Sequence, residues 1–144
     1  MLQLALWAYF KDEPRVNVSL CPKARTYFRF GANLLGVAHG HGKAQANPKD
    51  LESCMANERA RDWGETRHRW WLLGHVHHRT QKETRGCLVE HFRTLAPRDA
   101  HAAFEGYGSG RDLHRIVLHR EDGEVDRQIV SAAYLERSFK EVAS

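Results

Sequence analysis

The stretch Trp70-Trp71-Leu72-Leu73-Gly74-His75-Val76-His77-His78 runs from an apolar segment through a glycine into three imidazoles. A short apolar run bounded by Gly reads as a buried strand. Strands covered on both faces are typical of sheets flanked by other layers. The chain leaves the sheet at Gly74, where the missing Cβ permits a tight turn or a close backbone approach. In extended backbone His75 and His77, two apart, project to the same side. Two neighbouring imidazoles at the end of a strand suit a metal that prefers nitrogen ligands. The competing reading is of solvated loop histidines that hold nothing.

Upstream, Leu34-Leu35-Gly36-Val37-Ala38 runs into His39-Gly40-His41-Gly42-Lys43 with the same layout. Two strands of one sheet that end in histidines on a common edge present them to one site, where ligands of α/β sheets bind. Gly40 and Gly42 also permit backbone N–H groups to face an anion. Between the two stretches, Asn47 and Pro48 are an N-cap and a first helical position, so a helix is expected over Pro48–Glu58, reaching about Ala60. Residues 34–73 then form a βαβ crossover.

The rest of the chain adds strands and turns. A helix is expected over residues 2–11, without a cap before Leu2. Strands are expected over Arg15–Leu20 and Thr26–Phe30, the latter turning at Gly31-Ala32-Asn33 into the strand at Leu34. Asp62–Thr66 reads as a loop. Hairpins are expected over 79–94 and over 113–132. Asp99 reads as the cap of a short helix over 100–105, and residues 136–144 as a charged, frayed tail following one domain over 1–135.

Composition bounds the function. The 144 residues carry 22 Lys+Arg against 18 Asp+Glu, a net charge of +4, which permits a nucleic-acid or phosphate partner and equally suits a solvated surface of mixed sign. No run is long enough to span a membrane, and residues 1–10 lack the basic start and cleavage site of a secretory signal, so a cytoplasmic protein with no membrane partner is expected. Cys21, Cys54 and Cys87 form no Cys-x-x-Cys pair and read as reduced, small core residues.

Taken together, Gly36-Val37-Ala38-His39-Gly40-His41-Gly42 and Gly74-His75-Val76-His77 resemble the last two motifs of the calcineurin-like metallophosphoesterases. The context, Tyr27-Phe28-Arg29-Phe30-Gly31, Asp62-Trp63-Gly64 and Trp70-Trp71, resembles phage and bacterial members of the DNA repair exonuclease-like type. The resemblance implies an α/β (α+β) fold: the C-terminal half of a four-layer αββα sandwich, with a mixed sheet, a βαβ unit and C-terminal β-hairpins. It implies two divalent ions (Mn, Fe, Ni or Zn), His39 and His75 on one and His77 on the other. It implies hydrolysis of a phosphomonoester or phosphodiester, nucleic acid included, by a metal-generated hydroxide.

His41 stands where an Asp often follows His-Gly in the family, as a partner orienting His39 or as a phosphate contact. His78 is an extra imidazole, in substrate contact or simply exposed. Gly40 and Gly74 shape the backbone beside these ligands. The family's earlier Asp-x-His, Gly-Asp-x-x-Asp and Asn-His-Asp/Glu motifs do not precede His39, so no catalytic residue is assigned in this chain. Asp99-Ala100-His101 and Asp112-Leu113-His114 have the first form but follow the Gly-His-x-His motif. They read as a helix cap and the polar face of a strand. The first helix resembles the one after the Asn-His-Asp motif, so an N-terminal half in cis or in trans is the expected partner. The alternatives are a non-catalytic remnant that binds nucleic acid or protein, and a single structural zinc held by His39, His75 and His77.

Overall fold

In a computed structural model, residues 2–42, 47–96, 108 and 110–142 are described; the helix expected over 100–105, with Asp99 and His101, lies outside them. Helix α1 (Leu2–Phe10) is followed by strands β1 (Arg25–Phe30) and β2 (Asn33–Ala38), helices α2 (Pro48–Glu58) and α3 (Ala60–Glu65), strands β3 (His68–Leu73), β4 (Thr80–Glu83), β5 (Leu88–His91), β6 (Asp112–His119) and β7 (Gly123–Ser131), and helix α4 (Ala132–Val142). A five-stranded sheet has the order β1-β2-β3-β5-β4, and β6 and β7 form a separate ribbon. β2, β3 and β5 are parallel; β1 and β4 close the edges antiparallel. The chain is therefore α/β with a mixed sheet, as the sequence implies.

The core lies between α2 and one face of the sheet. Leu34, Ala38, Trp71, Leu73 and Val89 meet Leu51 and Met55 there. Helix α2 begins as its sequence requires, with Asn47 Oδ1 accepting from Lys49 N at 3.2 Å and Pro48 in the first turn. Trp71 Nε1 donates to the Leu51 carbonyl at 2.8 Å, pinning the helix to β3. Gly36 makes the close approach possible: a Cβ there would lie 2.7 Å from the Trp71 ring and 2.8 Å from Met55 Cε.

The second sheet face carries Phe28, Val37, Leu72 and Glu90, by strand alternation and register. The β6–β7 ribbon reaches the middle of this face through a charge group. Glu90 is 1% exposed and accepts from Arg127 Nη2 at 2.8 Å, while Arg127 Nε donates to Glu124 at 2.6 Å. These bonds raise the Arg127 pKa and hold Glu124 below the usual carboxylate range. At the far end, Asn33 Nδ2 donates to the carbonyls of Phe30, His119 and Arg120, tying the β1–β2 turn to the ribbon's tip.

Three expectations are corrected. Arg15–Leu20 is irregular rather than a strand; Arg15 turns back to Glu13, Nε to Oε1 at 2.8 Å. Residues 62–65 belong to a helix rather than a loop, because Asp62 takes the guanidinium groups of Arg59 and Arg29, and Thr66 Oγ1 caps the Asp62 carbonyl at 2.7 Å. Residues 136–142, expected as a frayed tail, continue a helix that starts at Ala132: Ser131 Oγ accepts from Tyr134 N at 3.2 Å as an N-cap, and Glu136 pairs with Arg111 at 3.1 Å.

Two stability predictions follow from this packing. Gly36→Ala overpacks the α2–β3 contact and lowers unfolding free energy by about 1–3 kcal/mol in urea titration. Arg127→Met leaves Glu90 buried without its cation and costs about 3–5 kcal/mol. Because the Glu124 pKa is depressed in the fold, its contribution is present above the unfolded value and is lost as pH falls through the folded one. The wild-type melting temperature therefore drops more steeply under acid than that of Arg127→Met, as calorimetry across that range will measure.

Candidate metal centre

The parallel register places Ala38 beside Leu73 at the ends of β2 and β3, so the next residues, His39 and Gly74, leave the sheet together. Gly40, at φ +90°, lies against this second turn, where a Cβ would come 3.3 Å from the Gly74 carbonyl. The two Gly-containing loops thus touch, and their imidazoles meet. His39 Nε2 is 3.1 Å from His75 Nδ1, and His41 Nδ1 is 3.3 Å from His75 Nε2. His75 stands between the other two rings, with centroids 4.9 Å from His39 and 4.8 Å from His41.

The backbone after β3 is not extended. His75 and His77 have φ of +67° and +54°, in the left-handed region that non-glycine residues rarely enter. Val76 N donates to the Gly74 carbonyl at 2.9 Å, closing a tight turn. His75 and His77 share a region through this turn, not through the strand alternation expected from the sequence. His77 makes no hydrogen bond with the other three among the described residues, but its charge acts on His75. His78 Nδ1 is 2.9 Å from the Val76 carbonyl, so its ring stabilises the turn. His41 contacts His75 rather than His39.

Desolvation first, and then the neighbouring imidazoles of His41, His39 and His77, lower the His75 pKa. The neutral ring, which is the form that binds metal, is therefore favoured. Two nitrogens bound to one ion at about 2.0–2.1 Å lie roughly 3.0–3.4 Å apart in ordinary coordination geometries. The His39–His75 spacing of 3.1 Å fits that requirement. The full ligand set is not gathered: no group of three or more His, Cys, Asp or Glu side chains is arranged to hold a metal among the described residues. The donor type and the spacing of one pair fit a cation.

His91, which reads from the sequence as an ordinary surface or half-buried residue, is buried on β5, 3.0 Å from Thr80 Oγ1. Burial, and then the charges of His78 and His75, lower its pKa. Its only sequence signal is a His closing a buried parallel strand, the feature that singled out His39. Asp112 and His114 lie on the inner face of β6, not on a solvated one. Asp112 Oδ1 is 3.0 Å from His114 Nε2, and Oδ2 accepts from Arg93 Nη1 at 2.9 Å.

Strain at the turn generates a prediction. His77→Gly relieves a left-handed φ and raises the melting temperature, by an amount set by about 1 kcal/mol or more of stored strain. His78→Gly, where φ is not positive, lowers it. Thermal denaturation of the two variants tests the difference.

No protein-family model matches the chain, and no curated protein matches it in sequence. Its fold is similar to that of Vps29 from Entamoeba histolytica in a crystal structure complexed with Zn2+, at 12% identity and a TM-score of 0.50, covering 81% of this chain and 66% of that one. It is also similar to a conserved uncharacterized protein from Streptococcus pneumoniae, described as a predicted phosphoesterase, at 15% identity and a TM-score of 0.49, covering 85% of this chain and 67% of that one. The chain thus spans about two thirds of the length of the solved structures it resembles. The likeness to Vps29 is one of fold alone.

Proposed function

We propose that this chain supplies the histidine side of a metal-dependent phosphoesterase site. The observation that carries the reading is the 3.1 Å approach of His39 and His75 at the ends of adjacent parallel strands. His39 and His75 would hold one divalent ion, with His77 in position for a second. The ions would supply a hydroxide nucleophile and charge to stabilise displacement at phosphorus. The chain's own contribution is to orient the imidazoles: His41 buttresses His75 through its second nitrogen, and the Gly40–Gly74 contact fixes the spacing of the loops. Carboxylate ligands come from an N-terminal half, in cis or in trans. The basic balance favours a nucleic-acid phosphodiester as substrate.

The choice of metal among Mn, Fe, Ni and Zn belongs to the same reading, and the phage exonuclease-like context supports a nuclease. The incomplete donor set favours a second reading, a non-catalytic remnant of the fold that binds nucleic acid or protein. Salt-dependent binding of single-stranded nucleic acid that persists in chelator distinguishes it.

Cobalt titration followed by visible absorption tests the metal reading directly. Ligand-field bands are expected with the chain, and His39→Ala or His75→Ala weakens binding by more than the ~10–100-fold that loss of an outer partner costs. Hydrolysis of bis(p-nitrophenyl) phosphate with Mn2+ or Ni2+ is expected once the complementing segment is present, and is lost with either variant. Cobalt binding unchanged in both variants, or hydrolysis that survives them, overturns the proposal.

A further inference from the structure

Carboxylates answer the arginines of β1 and of the β6–β7 ribbon: Arg25 pairs with Glu58, Arg29 with Asp62 at 3.2 Å, and Arg127 with Glu124 at 2.6 Å. Along β4 the pattern changes. Arg79, Lys82 and Arg85 recur at every third residue, all are exposed, and none makes an ion pair among the described residues. At about 3.4 Å per residue, Arg79 to Lys82 covers ~10 Å of extended chain, and Arg85 continues the row at the β4–β5 turn. The row starts at the histidine loops, since Arg79 follows His78 and Thr80 bonds His91 at the end of β5. β4 is the last strand of the sheet on this side.

Lys82 pairs in register with Val89, a core residue on the α2 side, so Lys82 stands on that side and its neighbour Glu83 on the other. Lys49, Lys82 and Arg85 then line a groove of about 650 Å³ between the first turn of α2 and the β4–β5 turn. Glu52 and Glu83 line it too. The Glu52 carboxylate is turned inward: a Cβ on Gly86 would lie 2.8 Å from its Oε1, and its charge acts on the Arg69 guanidinium beneath the turn. The groove keeps a net positive charge. Lysine on an edge strand also deters pairing with other chains. That role calls for neither Lys49 across the groove on α2 nor Arg85 beyond the strand.

We propose that this row and groove bind the phosphate backbone of single-stranded nucleic acid and lead it to the histidine loops. One row of cations matches one phosphodiester backbone, and contacts of this kind fix position without reading sequence. An acidic peptide offers the same charge but brings no phosphodiester to the histidines. The proposal deepens the nucleic-acid reading above and rests on it for the reaction. Arg79, Lys82, Arg85 and Lys49 position the polymer and take no part in the chemistry.

The test is fluorescence anisotropy of a short labelled oligothymidylate with the full chain and Mn2+, between about 50 and 200 mM salt. The logarithm of the affinity should fall with that of salt at a slope of about −2 to −3, or about −0.7 for each of three or four phosphates. Lys82→Gln with Arg85→Gln should flatten the slope by about 1.4 and weaken binding about tenfold at the lower salt. Arg137→Gln with Lys140→Gln removes the same charge from α4 and should leave both quantities unchanged. All four residues are exposed, so both double variants should melt as the wild type does.

No binding at the lower salt overturns the proposal. So does equal weakening in the two double variants, which reduces binding to net charge. Displacement by polyglutamate as effective as that by unlabelled oligothymidylate also overturns it, assigning the groove to an acidic protein segment. In the complemented protein, the β4 variant should cleave oligothymidylate about tenfold more slowly, in line with its weaker binding, and bis(p-nitrophenyl) phosphate at the wild-type rate. Oligonucleotide binding with neither ester hydrolysed overturns the phosphoesterase reading alone. Hydrolysis of the small ester without oligonucleotide binding overturns the β4 row alone.

Discussion

The parallel pairing of β2 with β3 is the constraint on which the site depends. Ala38 and Leu73 are in register, so both strands reach the same edge of the sheet at the same level and each is followed by a glycine-containing loop. That register is in turn held by the α2 contact, because the Trp71 indole must reach the Leu51 carbonyl across the space left by Gly36. A one-residue slip would turn Trp71 and Leu73 from the helix to the opposite face and separate His39 from His75. The packing of one tryptophan against one glycine thus sets the distance between two imidazoles beyond the ends of the strands.

The two sheet faces are closed by different physics. The α2 face is a compact apolar core, whereas the other meets the β6–β7 ribbon through Glu90, Arg127 and Glu124 while leaving Phe28 61% exposed. A two-stranded ribbon has little independent stability, so its docking rests on the few groups that reach across. The buried ion pair fixes where the ribbon sits, since an unpaired Glu90 carboxylate would be more costly than a displaced apolar residue. That position places Asp112 and His114 in a cleft lined also by Gly74, beside the histidine loops.

Much of this was legible locally. Asn47-Pro48 announced α2, the apolar runs before His39 and His75 announced the central strands, and Gly31 announced the β1–β2 turn. The errors have local causes too. Arg15–Leu20 has the alternation of a strand, but alternation is not a partner strand. Asp62 to Glu65 looks like a loop because Gly64 lowers helix propensity, and the arginines that hold it helical come in part from β1. The charged tail reads as frayed only if the cap at Ser131 is overlooked.

By itself, the sequence determined the mixed α/β class, the βαβ unit at its centre, and the concentration of imidazoles after two buried strands. Those properties are carried by residues close together along the chain: apolar runs, caps and glycines. Only the tertiary structure decided which nitrogens face each other, that His41 rather than His77 touches His75, and that Glu90 meets Arg127. Such contacts join residues tens of positions apart. They depend on strand register and on a left-handed turn at His75 and His77, which the neighbouring residues do not themselves specify.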